Sequence, residues 1–311
     1  MVLNKKSKIF IAGHNGMVGS SVLSHFKSKG YKNLFFKSRK SLNLIDQKKT
    51  YLYLKKIKPD FVIIAAAKVG GILINNEQKA KFIYENIMIQ TNLIHSSYLI
   101  GVKKLIFLGS SCIYPKYSKQ PIKEEYLMSG NLEETNDAYA VAKIAGYKMC
   151  EAYNKQYKTN FICLMPTNLY GPNDNYNLKT SHFFPALIAK IHFALKNNNK
   201  AIKIWGDGTP KRELMYVDDL ANACEFFLKK KTIHSLINIA SGQEKSILEY
   251  CKFIIKRLNA NLKINFEKKK PNGSPRKKLD LTLAKKYGWK SKYNLNKGFD
   301  LTYKDYLKRI N

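Results

Sequence analysis

The chain has 311 residues, 45% hydrophobic and 12% aromatic, which suits one large core or two closely joined ones and excludes a disordered chain. No apolar run reaches the length of a membrane span, and the basic start at Met1 runs into a strand pattern with no cleavage-site signature, so a cytoplasmic protein is expected. The formal net charge of +33 raises nucleic-acid binding, but the lysines are spread along the whole chain and only five arginines occur. The charge therefore reads as a compositional bias on a solvated surface, with no nucleic-acid partner expected. Five cysteines, an odd number without metal or redox spacing, point away from a disulfide framework and toward a reducing compartment.

The first half alternates strand and helix patterns. Strands are expected at Lys8–Ala12, Leu34–Lys37, Phe61–Ala66, Lys104–Gly109 and Asn160–Met165, with helices at Met17–Ser28, Phe82–Ile100 and Tyr139–Tyr157. Continuous apolar strands between helices imply a parallel sheet covered on both faces, a doubly wound Rossmann α/β fold. The second half is less regular. Helices are expected at Phe183–Asn197 and Asp218–Lys229, strands at Lys200–Trp205 and Ile237–Ala240, and a turn cluster at Gly206–Pro210. The rest mixes helix with the Pro/Gly-rich segment Pro271–Pro275. The expected division is a nucleotide-binding Rossmann domain from 1–175 and 213–243, and a smaller mixed α/β substrate domain from 176–212 and 244–311.

The segment Gly13-His14-Asn15-Gly16-Met17-Val18-Gly19 follows the first strand and opens the first helix. Glycines at this spacing allow a tight turn and close backbone approach to a pyrophosphate at the helix N-terminus. The second strand ends in Ser38-Arg39-Lys40, where NAD-binding chains place an acidic residue. Two cations suit a 2′-phosphate, so NADP(H) is the expected cofactor. Asp46 either reaches the adenine amino group or caps a helix.

Tyr139 and Lys143 form Tyr-x-x-x-Lys and share one helix face. An ammonium near a phenol is expected to lower the phenol pKa and prepare it to exchange a proton with a carbonyl or alcohol. Ser110, just past the strand ending at Gly109, is placed to hydrogen-bond the same oxygen.

These motifs resemble the extended short-chain dehydrogenase/reductases that act on nucleotide sugars. The stretches Ala65–Gly71, Gly109–Pro115, Tyr139–Gly146 and Pro166–Pro172 are most similar to the branch that takes GDP-4-keto-6-deoxy-D-mannose to GDP-L-fucose by 3,5-epimerisation and 4-reduction. The resemblance implies that Cys112 and His182 exchange the C3 and C5 protons, although a cysteine is also an ordinary buried hydrophobe. It implies that Ala66, Leu108, Gly109, Lys143, Pro166, Thr167, Asn168, Leu169 and His182 line the cofactor. It further implies that Lys190, Trp205, Arg212 and Asp280 hold the GDP-sugar; core packing is the other reading of Trp205. Asn15 departs from relatives that carry an arginine there, which leaves Arg39 and Lys40 with more of the 2′-phosphate. A homodimer through the helices 82–100 and 139–157 is also implied. Close alternatives are a GDP-L-colitose or GDP-heptose enzyme; a non-catalytic NADP- or nucleic-acid-binding module ranks below them.

Overall fold

The computed structural model describes residues 3–270 and 272–310. Met1 and Val2 of the expected basic start, Pro271 of the Pro/Gly segment, and Asn311 lie outside them. Ile9–Ala12 (β1) is apolar and buried throughout, as a strand covered on both faces must be. It feeds Met17–Ser28 (α1). Leu34–Phe35 (β2) is shorter than expected, because the chain turns at Ser38, whose carbonyl accepts from the amides of Ser41 and Leu42. Gln47–Ile57 (α2) was not among the expected helices; Asp46 caps it by accepting from the Lys49 amide. Phe61–Ile64 (β3), the short Ile72–Glu77 (α3) and the long Lys79–Leu99 (α4) follow. Lys104–Leu108 (β4), Asp137–Tyr157 (α5) and Phe161–Pro166 (β5) complete the first half.

Asn168–Tyr170 (β6) leaves the main sheet, and Phe183–Lys196 (α6), Ala201–Trp205 (β7) and Lys211–Tyr216 (β8) build a second layer. Val217–Lys229 (α7) and Leu236–Ile239 (β9) return to the first. Glu244–Ser246 (β10), Ile247–Arg257 (α8), Lys263–Glu267 (β11), Arg276–Lys277 (β12), Thr282–Lys286 (α9) and Leu295–Ile310 (α10) finish the chain.

The main sheet is parallel, in the order β2-β1-β3-β4-β5-β9. The connections leave β1 in opposite directions, which opens a crevice beyond the carboxyl ends of β1 and β3. Helix α7 clamps α1 from behind. The buried Glu225 carboxylate accepts from Tyr31 at 2.9 Å and Lys229 at 2.6 Å, and pairs with the His25 ring at 2.7 Å. Losing one partner from such a buried set costs on the order of 3 kcal/mol.

The second layer centres on β8, which pairs with β10, β12 and β6, while β7 and β11 form a separate parallel pair. Its core joins Tyr170, Phe184, Ile188, Ile204, Tyr250 and Phe299. The tail is divided: Phe299 and Tyr306 of α10 pack into this layer, whereas Leu279, Ala284 and Trp289 pack against the main sheet. All five cysteines are free thiols. Among the described residues no helix is long and apolar enough to cross a membrane.

Candidate active site

The end expected to hold the cofactor is made largely of backbone. Gly13 has φ +89°, and a Cβ there would sit 2.6 Å from the Ala66 amide nitrogen at the end of β3. A Cβ on Gly19 would sit 2.1 Å from the Gly13 carbonyl oxygen, so α1 starts directly against the turn. The N-cap, Gly16, supplies no side chain, and the first turn of α1 carries no acidic residue. The partial positive charge of its free N–H groups is therefore unneutralised by the chain. A pyrophosphate fits this cradle, which a single methyl would fill. His14 packs on Phe36 with ring centroids 4.7 Å apart, and burial lowers its pKa, favouring the neutral ring.

Arg39 and Lys40 stand exposed at the turn after β2, and Arg39 is tied back to the buried Glu85 of α4 at 3.3 Å. Glu85 is a contact that sequence reasoning missed. Of the two readings of Asp46, the structure shows the helix cap; the second oxygen lies 3.3 Å from Lys49.

At the next strand end, β4 stops at Leu108, and Ser110 accepts from the Cys112 amide at 3.3 Å. Tyr139 lies in the first turn of α5, with its phenol facing Ser110. Gly146 lets α5 approach β4, since a Cβ there would meet the Phe107 ring at 2.6 Å. Lys143 is thereby brought over the strand end, donating to the Leu108 carbonyl at 2.8 Å with its Nζ 5.8 Å from the Tyr139 ring centroid. Burial dominates both groups. It raises the Tyr139 pKa, against the expected lowering, with the Ser110 hydroxyl acting the other way. It lowers Lys143 to about 8. Desolvation penalises both charged forms more than the two groups help each other across this gap.

The Cys112 sulfur accepts from Asn136 Nδ2 at 3.5 Å and Lys277 Nζ at 3.8 Å. Arg212 on β8 lies within electrostatic reach of Cys112 and of Glu133. Ser110, Cys112, Tyr139, Lys143 and Arg212 are thus one cluster, to which the structure adds Asn136 and Lys277. Neither addition carries a sequence signal of its own. His182 occupies the N-cap position of α6, open to solvent yet crowded by protein, which lowers its pKa. Its loop is pinned to the start of α3 by the Gly71 amide donating to Thr180 O at 2.9 Å.

Thr167 and Asn168, following Pro166 and preceding Leu169, both donate to the Glu213 carbonyl where the chain passes from β5 to β6. Trp205 is 37% exposed, so it is a surface platform and not core. The ammoniums of Lys190 and Lys270 lie 5.8 and 5.4 Å from its ring centroid. Asp280 is not in the cluster: it accepts from the Thr282 amide at 2.8 Å, capping the turn into α9.

A doubly wound parallel sheet with a glycine cradle at its switch point and a Ser–Tyr–Lys set at the neighbouring strand end defines an extended dehydrogenase/reductase-type fold. Residues 9–240 match the NAD dependent epimerase/dehydratase family, and the chain belongs to it. It is 46% identical to GDP-L-fucose synthase 1 of Arabidopsis thaliana over 307 residues, covering 99% of this chain and 95% of that protein. It is 43% identical to GDP-L-fucose synthase of Escherichia coli (strain K12), with 97% of each covered. It is 39% identical to GDP-L-colitose synthase of Yersinia pseudotuberculosis, covering 98% and 99%. Among solved structures, MlghC, a GDP-mannoheptose C4 reductase from Campylobacter jejuni with NADP bound, superposes with a TM-score of 0.90 at 36% identity, covering 98% and 99%.

Proposed function

We propose that this chain epimerises GDP-4-keto-6-deoxy-D-mannose at C3 and C5 and then reduces C4 with NADPH, giving GDP-L-fucose. The observation that carries the reading is the free thiol of Cys112 in one cluster with the Tyr139 phenol. A plain ketoreductase needs the phenol alone; moving protons on the flanking carbons needs a second acid/base group. The 46% and 43% identities to the Arabidopsis thaliana and Escherichia coli fucose synthases, above the 39% to the colitose synthase, support the same choice.

The glycine cradle, Arg39 and Lys40 would hold the cofactor, with Lys143 and Pro166–Leu169 beside its nicotinamide end. NADPH, when bound, supplies the hydride for C4. Every other step falls to side chains. Cys112 and His182 take and return the C3 and C5 protons from opposite faces of the ring. Each proton removal leaves an enolate whose charge rests on the C4 oxygen, and reduction puts alkoxide charge on that same atom. Tyr139 and Ser110 therefore serve both halves by donating to one oxygen. A phenol that burial keeps protonated suits this, because an alkoxide is the stronger base and draws the proton downhill. Arg212, Lys190 and Trp205 would take the GDP end; Asp280, committed to its own turn, would act there by holding the segment behind Lys277.

The same reading places the enzyme in the cytoplasm as a homodimer through α4 and α5, which pack side by side and expose Tyr84, Leu99, Val141 and Tyr157. A monomer mass by sedimentation at micromolar concentration would exclude the dimer. The activity is tested by following NADPH oxidation with GDP-4-keto-6-deoxy-D-mannose in deuterated water, for the wild type and Cys112→Ser. Turnover with deuterium entering C3 and C5, lost in the variant while C4 reduction persists, is expected. Turnover without exchange would leave a simple ketoreductase, and no turnover would favour a colitose- or heptose-pathway substrate.

A further inference from the structure

The first two residues of the run Arg276-Lys277-Lys278-Leu279 form strand β12 beside β8, with Lys277 in parallel register with Arg212. Residues paired across strands share a face. Both cations therefore lie on the side of the β8–β12 pair that looks toward Cys112, although Cys112 and Lys277 are 165 positions apart. The neighbouring Arg276 is used differently, because its guanidinium is held by the Glu244 carboxylate with Nε at 3.0 and 2.9 Å. Among the described residues Lys277 pairs with no carboxylate, and its Nζ lies 3.8 Å from the Cys112 sulfur. The third neighbour of the sulfur also points to chemistry. Asn136 stands at the N-cap of α5, yet its side chain caps nothing and turns to Cys112. Glu133 faces the group from behind, already paired with Lys116 at 3.2 Å and accepting from Ser274 at 3.3 Å, so the net charge near the sulfur is positive.

We propose that Lys277 is a positioning residue that acts through Cys112, its ammonium compensating the negative sulfur that the exchange of sugar protons requires. The inference rests on the acid/base role of Cys112 given above and deepens it. If the thiolate is the base, an S–H bond forms as the C–H bond breaks, and the electron pair passes to the C4 oxygen. If the thiol is the acid, the S–H bond breaks as the C–H bond forms, and the pair stays on sulfur. Either way the sulfur is anionic at one end of the step, and the same ammonium balances it. Lys277 thus matters whichever carbon Cys112 serves.

Alkylation by iodoacetamide tests this on the full-length protein without any sugar. The thiolate is the attacking species, and Cys112 is the only one of the five thiols that is not buried. Near neutral pH, Lys277→Met is expected to slow alkylation of Cys112 roughly tenfold, and Lys277→Arg to restore most of the rate, because a unit charge at this distance is worth about a decade even when well solvated. Cys112→Ser supplies the background, and an unchanged melting midpoint confirms folding. An unchanged alkylation rate in Lys277→Met overturns the proposal. So does equal slowing in both variants, which would mark a loss of packing and not of charge. Because no substrate enters the assay, failure of the sugar assignment and failure of this role are read separately.

Discussion

The two ends of the cleft are built on different principles. The proposed phosphate cradle is one continuous segment, Gly13 to Gly19, whose working parts are backbone amides and the space left by missing side chains. The end proposed to hold the sugar gathers Ser110, Cys112, Asn136, Tyr139, Arg212 and Lys277 from four separate segments. A cradle of amides recognises a diphosphate whatever is attached to it. A set of side chains on several elements can be exchanged singly, so one sheet can serve many reactions. The two ends should therefore fail differently: damage to the first should cost binding and fold together, and damage to the second should cost chemistry alone.

The sharpest separation is expected from Tyr139→Phe. The phenol oxygen faces Ser110 while the ring packs edge-on against Phe82, so its removal leaves that packing intact. Reduction should fall by about 10³-fold, the range for loss of a general acid, with NADPH affinity by fluorescence titration unchanged. A matching loss of affinity would break the comparison. Gly19→Ala should do the reverse. Its Cβ would overlap the Gly13 carbonyl, and both atoms belong to backbone that cannot yield separately. A loss of about 3 kcal/mol of stability is expected from overpacking of this kind, seen as a lowered melting midpoint together with weakened NADPH binding. Normal stability with normal binding would show that the cradle is looser than its geometry states.

The same contrast explains what was legible in the sequence. Gly13, Gly16 and Gly19 announce themselves because their requirements are local, and Tyr139 and Lys143 because a helix places i and i+4 together. Six strands of continuous apolar residue runs made the parallel sheet readable, apart from the brevity of β2. Lys277 was hidden because its importance depends on β12 pairing with β8, a contact between segments that no spacing rule connects. Glu85 was hidden because its partner Arg39 lies on another element. Asp46 allowed two readings because the same carboxylate chemistry serves a cap and an adenine contact. The expected lowering of the Tyr139 pKa followed from counting charges, and it reversed because depth of burial is not written in a four-residue spacing.

Lys143 gives the smallest effect and separates the two ends by pH. Burial brings its pKa down to about 8, while its ammonium donates to the Leu108 carbonyl. Below that value the ammonium is present; above it the charge is lost. kcat/KM should therefore fall as pH rises through about 8, approaching tenfold per unit. Stability moves the opposite way. The unfolded chain keeps the Lys143 proton up to its ordinary value near 10.5, so between about 8 and that point the unfolded state binds more protons than the folded one, and Lys143's own contribution to stability rises with pH. Falling activity over this window cannot then come from destabilisation by Lys143 itself. In Lys143→Arg the charge persists, and the alkaline limb should move out of range even if the maximal rate is lower. A limb that stays near pH 8 in that variant would assign it to another group and leave Lys143 as a packing element under the Tyr139 ring.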